Sequence, residues 1–323
     1  MPFTVVRMNL VAPHEPPESR SARYRAAVEM AAYADEHGVD TVQTEEHHGT
    51  GNGWLPSPFT FAGAVLGATH RIAVTVSAII GPLYDPLRLA EDIAVLDLLS
   101  GGRLVTVAGI GYRPEEYERA GVEWSRRGAL QDRLLDTLLK AWTGEPFEHE
   151  GRTVRVTPRP FTQPHPMLLV GGSSRAAARR AARLGLPFFP SAHLPELEAY
   201  YREQLAAHGT EGWTMMPGEH TPLLHLSEDP DRTWAKYGEH FLHEARTYAS
   251  WQSKDIRSAV RSAAGTVEEL RAEGVYRVLT PDECASLGAD SLVLHPLCGG
   301  MPPEEGWRSL RLFTDDVLPR LKG

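Results

Sequence analysis

Val39-Asp40-Thr41-Val42-Gln43-Thr44-Glu45-Glu46-His47-His48 begins as a short apolar strand and ends in two acids and two imidazoles. A strand buried in a core has no use for four ionisable groups in a row. Catalytic residues do gather where parallel strands end, in barrels and open sheets alike. The stretch therefore predicts a parallel α/β fold with His47 looking into an active site.

Working outward, strands and helices alternate. Phe3–Leu10 is apolar and β-prone, and the spacing of Ala26, Ala27, Met30, Ala31 and Ala34 predicts a helix over Ser21–His37, closed by Gly38. Glu45–Leu55 is a glycine-rich loop. Ser57-Pro58 and Asp85-Pro86 each pair a cap with proline at the first helical position. Between them, Arg71–Ile80 carries a near-continuous apolar run, as strands buried on both faces do. Leu104–Ala108 is the fourth strand, and an apolar stripe predicts a helix over Ser125–Trp142. The proline- and glycine-rich stretch 143–166 wraps the outside.

Met167–Val170, Pro187–Pro190, Thr221–Ser227 and Asp290–His295 read as strands five to eight. Pro195–His208 and Trp307–Leu321 read as helices. Thr266-x-x-Glu269 and Thr280-x-x-Glu283 are capping boxes that start short helices. Residues 229–262, charged, aromatic and mostly helical, form an insertion near the mouth. Eight β/α steps within one domain, 1–323, indicate a TIM (β/α)8 barrel with a helical insertion near its C-terminal mouth. A doubly wound open sheet is the alternative.

Apolar residues make up 42% of the 323, enough for a large core, and the net charge of −9 argues against nucleic acid or an anionic membrane as partner. The two cysteines, Cys284 and Cys298, form neither a CxxC motif nor a disulfide framework, so a reducing, cytoplasmic compartment is expected. The opening residues lack the basic and small-residue features of a signal peptide. No run approaches the ~18 apolar residues of a membrane span.

Three constellations carry chemistry. In Leu168-Leu169-Val170-Gly171-Gly172-Ser173-Ser174-Arg175 a strand ends, glycines let backbone approach a ligand, hydroxyls follow and a helix begins. Free N–H groups and the positive end of a helix suit a phosphate. The plainer reading is a tight turn with a serine cap. Gly109-Ile110-Gly111-Tyr112 is a second glycine-rich strand end, where a flat ring or a phosphate, or simply a turn, is accommodated.

Glu45-Glu46-His47-His48 has three readings: a catalytic imidazole over a cofactor, a metal site, or a hydrogen-bonded cluster at the mouth. Adjacent residues of an extended strand point to opposite sides, so His47 and His48 do not readily share an ion. No metal is expected there. His193, His225 and His295 also fall at strand ends, with His295 the best placed. Trp234, Tyr237, Tyr248 and Trp251 read as a lid or, more commonly, as packing.

Taken together these motifs resemble the luciferase-like flavin-dependent monooxygenases. The likeness runs over Gly38–Trp142 and Met167–Pro190, and more weakly into the last helix. It rests on Gly38-Val39-Asp40-Thr41-Val42 before Glu46-His47-His48, Ala68-Thr69, Pro86-Leu87-Arg88 with Glu91-Asp92, Leu96-Asp97 through Ser100-Gly101-Gly102-Arg103, the Gly-Gly-Ser-Ser strand end, and Leu184-Gly185-Leu186-Pro187. The resemblance implies a TIM barrel binding reduced FMN. His47 matches the family's active-site histidine, and Ser77-Ala78 the pair whose non-proline cis peptide supports the isoalloxazine. Gly109 and Gly111 would flank the ring and ribityl chain, and Gly171, Gly172, Ser173 and Ser174 match the phosphate segment. Two positions depart. Gln43 replaces an aromatic, and Ile110 stands where luciferase has a phosphate-holding arginine, leaving Arg113 or Arg175 as substitutes.

The implied activity is oxidation of a small organic substrate by O2. A separate NAD(P)H:flavin reductase would supply reduced FMN, and a homodimer is expected. An imidazole, with its ordinary pKa of about 6.5, suits the acid/base work. The alternatives are a deazaflavin-dependent oxidoreductase of the same superfamily, a non-catalytic flavin-binding protein and a metal-dependent barrel hydrolase.

Overall fold

The computed structural model describes residues 2–219, 221–252 and 258–322. In chain order the elements are β1 (Phe3–Arg7), α1 (Pro17–Glu36), β2 (Thr41–Thr44), α2 (Pro58–Ala68), β3 (Ala73–Ile80), α3 (Pro86–Ser100), β4 (Leu104–Gly109), α4 (Pro114–Ala120), α5 (Arg127–Ala141), β5 (Phe147–His149) and β6 (Arg152–Val154). They continue with β7 (Met167–Gly171), α6 (Arg175–Leu184), β8 (Phe188–Phe189), α7 (Pro195–His208), β9 (Leu223–Leu226), α8 (Pro230–Trp251), α9 (Val267–Glu273), β10 (Tyr276–Leu279), α10 (Pro281–Ala285), β11 (Ser291–Leu294), α11 (Pro303–Arg311) and α12 (Leu318–Lys322). Parallel strands with helices between them are the α/β, TIM-type succession that the sequence predicts. The described residues divide into two compact units.

The first unit holds Met1–Pro56, Ser191–His193 and Pro217–Gly323. Its strands run parallel in the order β10-β9-β11-β1-β2. Val6 pairs with Leu294 on one side and with Val42 on the other, which aligns the C-terminal ends of β11, β1 and β2. The strand β10 escaped the sequence reading. Its four residues lie between the two capping boxes, and both boxes are present as read. It pairs with β9 on the side away from β11, so chain order and spatial order differ here.

Helix α8 fills most of the 229–262 stretch read as an insertion, of which residues 253–257 lie outside the described residues. Asp229 caps it, accepting from the Arg232 N–H. Trp234, Tyr237, Phe241, Leu242 and Ala245 pack against Leu223, Leu270, Tyr276, Val278 and Met301. Each large apolar side chain so buried contributes roughly 1.5–3 kcal/mol. This face therefore holds α8 in place, and Trp234, Tyr237 and Tyr248 serve as packing residues.

The second unit holds Ser57–Pro190 and Leu194–Met216. Its strands run parallel in the order β3-β4-β7-β8. The register pairs Ile80 with Gly109, Ala108 with Val170, and Gly171 with Phe189. The ends of β3, β4 and β7 thus lie side by side. Within the stretch expected to wrap the outside, β5 and β6 form a short antiparallel hairpin. Among the described residues no helix is long and apolar enough to cross a membrane.

Candidate active site

In the first unit, β2 ends at Thr44 and delivers the charged tetrad into the loop that follows. Backbone hydrogen bonds fix this loop: the His47 N–H donates to Leu55 O (3.2 Å), Leu55 N–H to Asn9 O (3.0 Å) and Ala12 N–H to Asn52 O (2.9 Å). Side chains then alternate, as an extended chain requires. His48 turns to Glu46, with Nε2 2.7 Å from Oε1. Glu45 and His47 face the other way.

His47 is buried among aromatics. Its ring centroid lies 4.7 Å from Trp251, 5.3 Å from Trp54 and 6.3 Å from Tyr248. Trp54 and Tyr248 meet edge to face at 4.8 Å, the favourable arrangement for two quadrupoles. The Trp54 indole N–H is buried without a protein partner among the described residues.

Beneath this aromatic wall runs a buried ion network. Arg7, the last residue of β1, pairs with Glu45 through Nε and through Nη2 (3.0 Å). Arg7 Nη2 also donates to the Tyr248 hydroxyl (2.8 Å), which in turn donates to Glu45 Oε2 (2.5 Å). Arg7 Nη1 reaches Glu244 Oε1 on α8 at 2.8 Å. Glu244 has both oxygens 3.1 Å from His295 Nε2, and accepts from the Cys298 thiol (3.4 Å), the Gly299 N–H (3.1 Å) and the Tyr276 hydroxyl (3.5 Å).

Burial disfavours every charge here, and partners decide the outcome. Burial opposes the ionised Glu244 carboxyl, but His295 and Arg7 reverse this and hold it well below the usual carboxylate range. Burial likewise opposes the Arg7 charge, which Glu45, Tyr248 and Glu244 more than restore. The Tyr276 hydroxyl and Cys298 thiol, buried beside Glu244, are pushed well up and stay protonated. His225, next to this group on β9, is driven down to about 4 by burial and is neutral.

In the second unit, the residues singled out for a cofactor gather on three neighbouring strand ends. The Ser77–Ala78 peptide is cis, and the register of β3 shifts between Ser77 and Ile79. Gly109 ends β4 beside it. At Gly111 (φ +65) a Cβ would meet Ile80 Cγ2 at 2.9 Å, and at Gly172 (φ +147) one would meet Ala177 Cβ at 3.0 Å. Both glycines are thus required by the backbone path itself. Gly171 ends β7, Ser173 is half-buried, and the Ser174 hydroxyl caps α6 by accepting from the Ala177 N–H (3.3 Å). Arg175 lies over the Tyr200 ring at 4.8 Å, and Arg113 Nη1 is 3.1 Å from Glu116 Oε1.

His47 and these strand ends are legible in the sequence as parts of a site, whereas Arg7, Glu244, Cys298 and Trp54 are not. Arg7 carried a signal, since it is a lone cation inside an apolar strand. Glu244 carried none, being one acid among many on a charged helix. The three-residue group of potential metal ligands found among the described residues is Glu244, His295 and Cys298, and it includes neither His47 nor His48.

A parallel α/β chain of TIM type, with its ionisable and glycine-rich segments at strand C-termini, is the class that fold and site define. Its family follows from comparison: residues 1–286 match the luciferase-like monooxygenase model, and the chain belongs to that family. It is 30% identical over 180 residues to the uncharacterized protein y4vJ of Sinorhizobium fredii, covering 54% of this chain and 51% of that one. It is 29% identical over 145 residues to the FMNH2-dependent dimethylsulfone monooxygenase of Pseudomonas putida, covering 42% and 40%. The chain thus matches about half the length of these relatives or less. Among solved structures, monooxygenase RslO1 of Streptomyces bottropensis aligns with a TM-score of 0.77 at 27% identity, over 99% of this chain and 100% of that one.

Proposed function

We propose that the protein is a reduced-FMN-dependent monooxygenase acting on a small organic substrate with O2. The observation that carries this reading is the side-by-side placement of Ser77–Ala78, Gly109–Gly111 and Gly171–Ser174 on adjacent strand ends. The donor set suits an anionic, flat ligand. The ten-residue α6 presents its N-terminus, Ser173 adds a hydroxyl, Arg175 adds charge, and the glycines keep side chains away from the strand ends. Gly171, Gly172, Ser173 and Ser174 would hold the phosphate, and Ser77, Ala78, Gly109 and Gly111 the ring and ribityl chain. The dependence of the dimethylsulfone relative on FMNH2 supports the choice of cofactor.

When bound, reduced FMN supplies the electrons that activate O2. One oxygen atom enters the substrate and the other leaves as water. His47 would serve as the acid/base group or hydrogen-bond donor of the reaction. Trp54, Tyr248 and Trp251 keep water from the imidazole, and Arg7 and Glu45 hold Tyr248 in place. A separate NAD(P)H:flavin reductase, a homodimer and a cytoplasmic location complete the reading. In its support for a dimer, α3 leaves Val95, Leu98 and Leu99 exposed.

Binding of FMN, reduced FMN and the deazaflavin coenzyme to purified protein, by fluorescence or calorimetry, is the test. Tight binding of reduced FMN is expected, and preference for the deazaflavin would move the reading to hydride transfer. His47→Ala should keep flavin binding and lose about 10²–10⁴-fold in oxygenation. Full turnover in that variant would remove His47 from the chemistry.

A further inference from the structure

We propose that Glu244, His295 and Cys298 form a binding site for a divalent cation of the zinc type. None of the three belongs to the residues assigned to cofactor or substrate above, so the inference does not rest on that reading.

The three come from separate elements: α8, the residue after β11, and the 3-10 turn Cys298–Gly300. Their side chains are fully buried. One carboxylate oxygen, the imidazole Nε2 and the thiol Sγ lie within 4.8 Å of one another. Glu244 Oε2 stands 3.1 Å from His295 Nε2 and 3.4 Å from Cys298 Sγ. With zinc bonds of about 2.0–2.3 Å, neighbouring ligands of a tetrahedron stand roughly 3.3–3.6 Å apart. These two separations differ from those edges by a few tenths of an ångström. One sulfur, one nitrogen and one oxygen donor is a set that zinc takes and that magnesium or calcium does not.

Charge permits the ion despite the nearby cation. Arg7 is engaged by Glu45 and touches Glu244 through Oε1, whereas Oε2 is the oxygen turned to Cys298 and Gly299. On binding, bonds form from the cation to Oε2, Nε2 and Sγ. The Cys298 S–H proton leaves to solvent, and the proton that His295 Nε2 shares with Glu244 also leaves that nitrogen, so that the neutral ring carries its one proton on Nδ1, which has no other partner among the described residues. The dication, the carboxylate and the thiolate sum to zero. The Tyr276 hydroxyl lies 3.5 Å from the other carboxylate oxygen, Glu244 Oε1. The role is structural: the ion ties α8 to the turn after β11. Without it, hydrogen bonds already satisfy Glu244, so the fold forms and the ion reinforces it.

The test is metal content. Full-length protein, expressed with added zinc and dialysed against metal-free buffer, is expected to retain about one zinc per chain. A mercurial that modifies its thiols should release that zinc, as read by a chromogenic chelator. Cobalt supplied instead should give near-ultraviolet thiolate absorption and the visible bands of a tetrahedral site. Cys298→Ser, a nearly isosteric change, should abolish the thiolate band and weaken zinc retention more than about tenfold. Retention below about a tenth of an ion per chain in the wild type overturns the proposal. So does equal retention in Cys298→Ser and Glu244→Gln, which would mark adventitious binding elsewhere. The mercurial and cobalt readouts use the wild-type chain, so they decide the question even where a variant fails to fold.

Discussion

Replacing Arg7 with methionine tests the ion network most directly. Arg7 is 2% exposed and is shared by Glu45, Tyr248 and Glu244. Methionine keeps much of the volume and removes the charge. Removing one partner of a buried ion pair costs about 3–5 kcal/mol, because the remaining charge stays desolvated. Glu244 still has His295, so a value near 4 kcal/mol is expected, on the order of one disrupted pair. With ~2.1 cal/mol/K of unfolding entropy for each of the 323 residues, about 0.7 kcal/mol/K in all, the melting temperature should fall by about 6 °C.

The effect should depend on pH. In the wild type the folded-state Glu244 carboxyl is depressed, partly by Arg7. Its contribution is present above the unfolded carboxylate range and is lost as pH falls through the folded value. The gap between wild type and variant should therefore be full at pH 7.5 and narrow under acid. Differential scanning calorimetry from pH 7.5 down through the carboxylate range, to about pH 3, measures it. A drop of less than about 2 °C at pH 7.5, or a gap that widens under acid, would refute the idea that Arg7 compensates buried charge.

Other consequences are smaller or more local. At Gly299 (φ +58) a Cβ would stand 1.8 Å from His240 O, a backbone atom, so Gly299→Ala should lower stability by at least about 2 kcal/mol; an unchanged melting temperature would contradict the close approach. His225 is neutral when folded, with its pKa lowered to about 4, whereas the unfolded chain takes up its proton near 6.5. Stability should therefore decline by up to about 3 kcal/mol as pH falls between those values, and His225→Gln should flatten that part of the denaturant-measured profile. Ser174→Ala removes the cap of α6 and should cost about 1 kcal/mol in urea unfolding while weakening reduced-FMN binding. Loss of stability without loss of affinity would confine Ser174 to the capping role.

Much of this protein follows from local sequence alone. Apolar runs bounded by proline and glycine located the strands, since burial on both faces leaves no room for polar side chains. Proline at first helical positions and the two capping boxes placed helix starts where the structure has them. The two-residue alternation of an extended chain separated His47 from His48. Local signals failed where length or distance defeated them. The four residues of β10 are too few to show a period, and its place beyond β9 is set by long-range pairing. Arg7 and Glu244 lie 237 positions apart and meet only because β1 ends beneath α8. Periodicity states which face of an element is buried. It does not state which other element covers that face, and the ion network, the aromatic wall around His47 and the Glu244–His295–Cys298 group were decided by that covering.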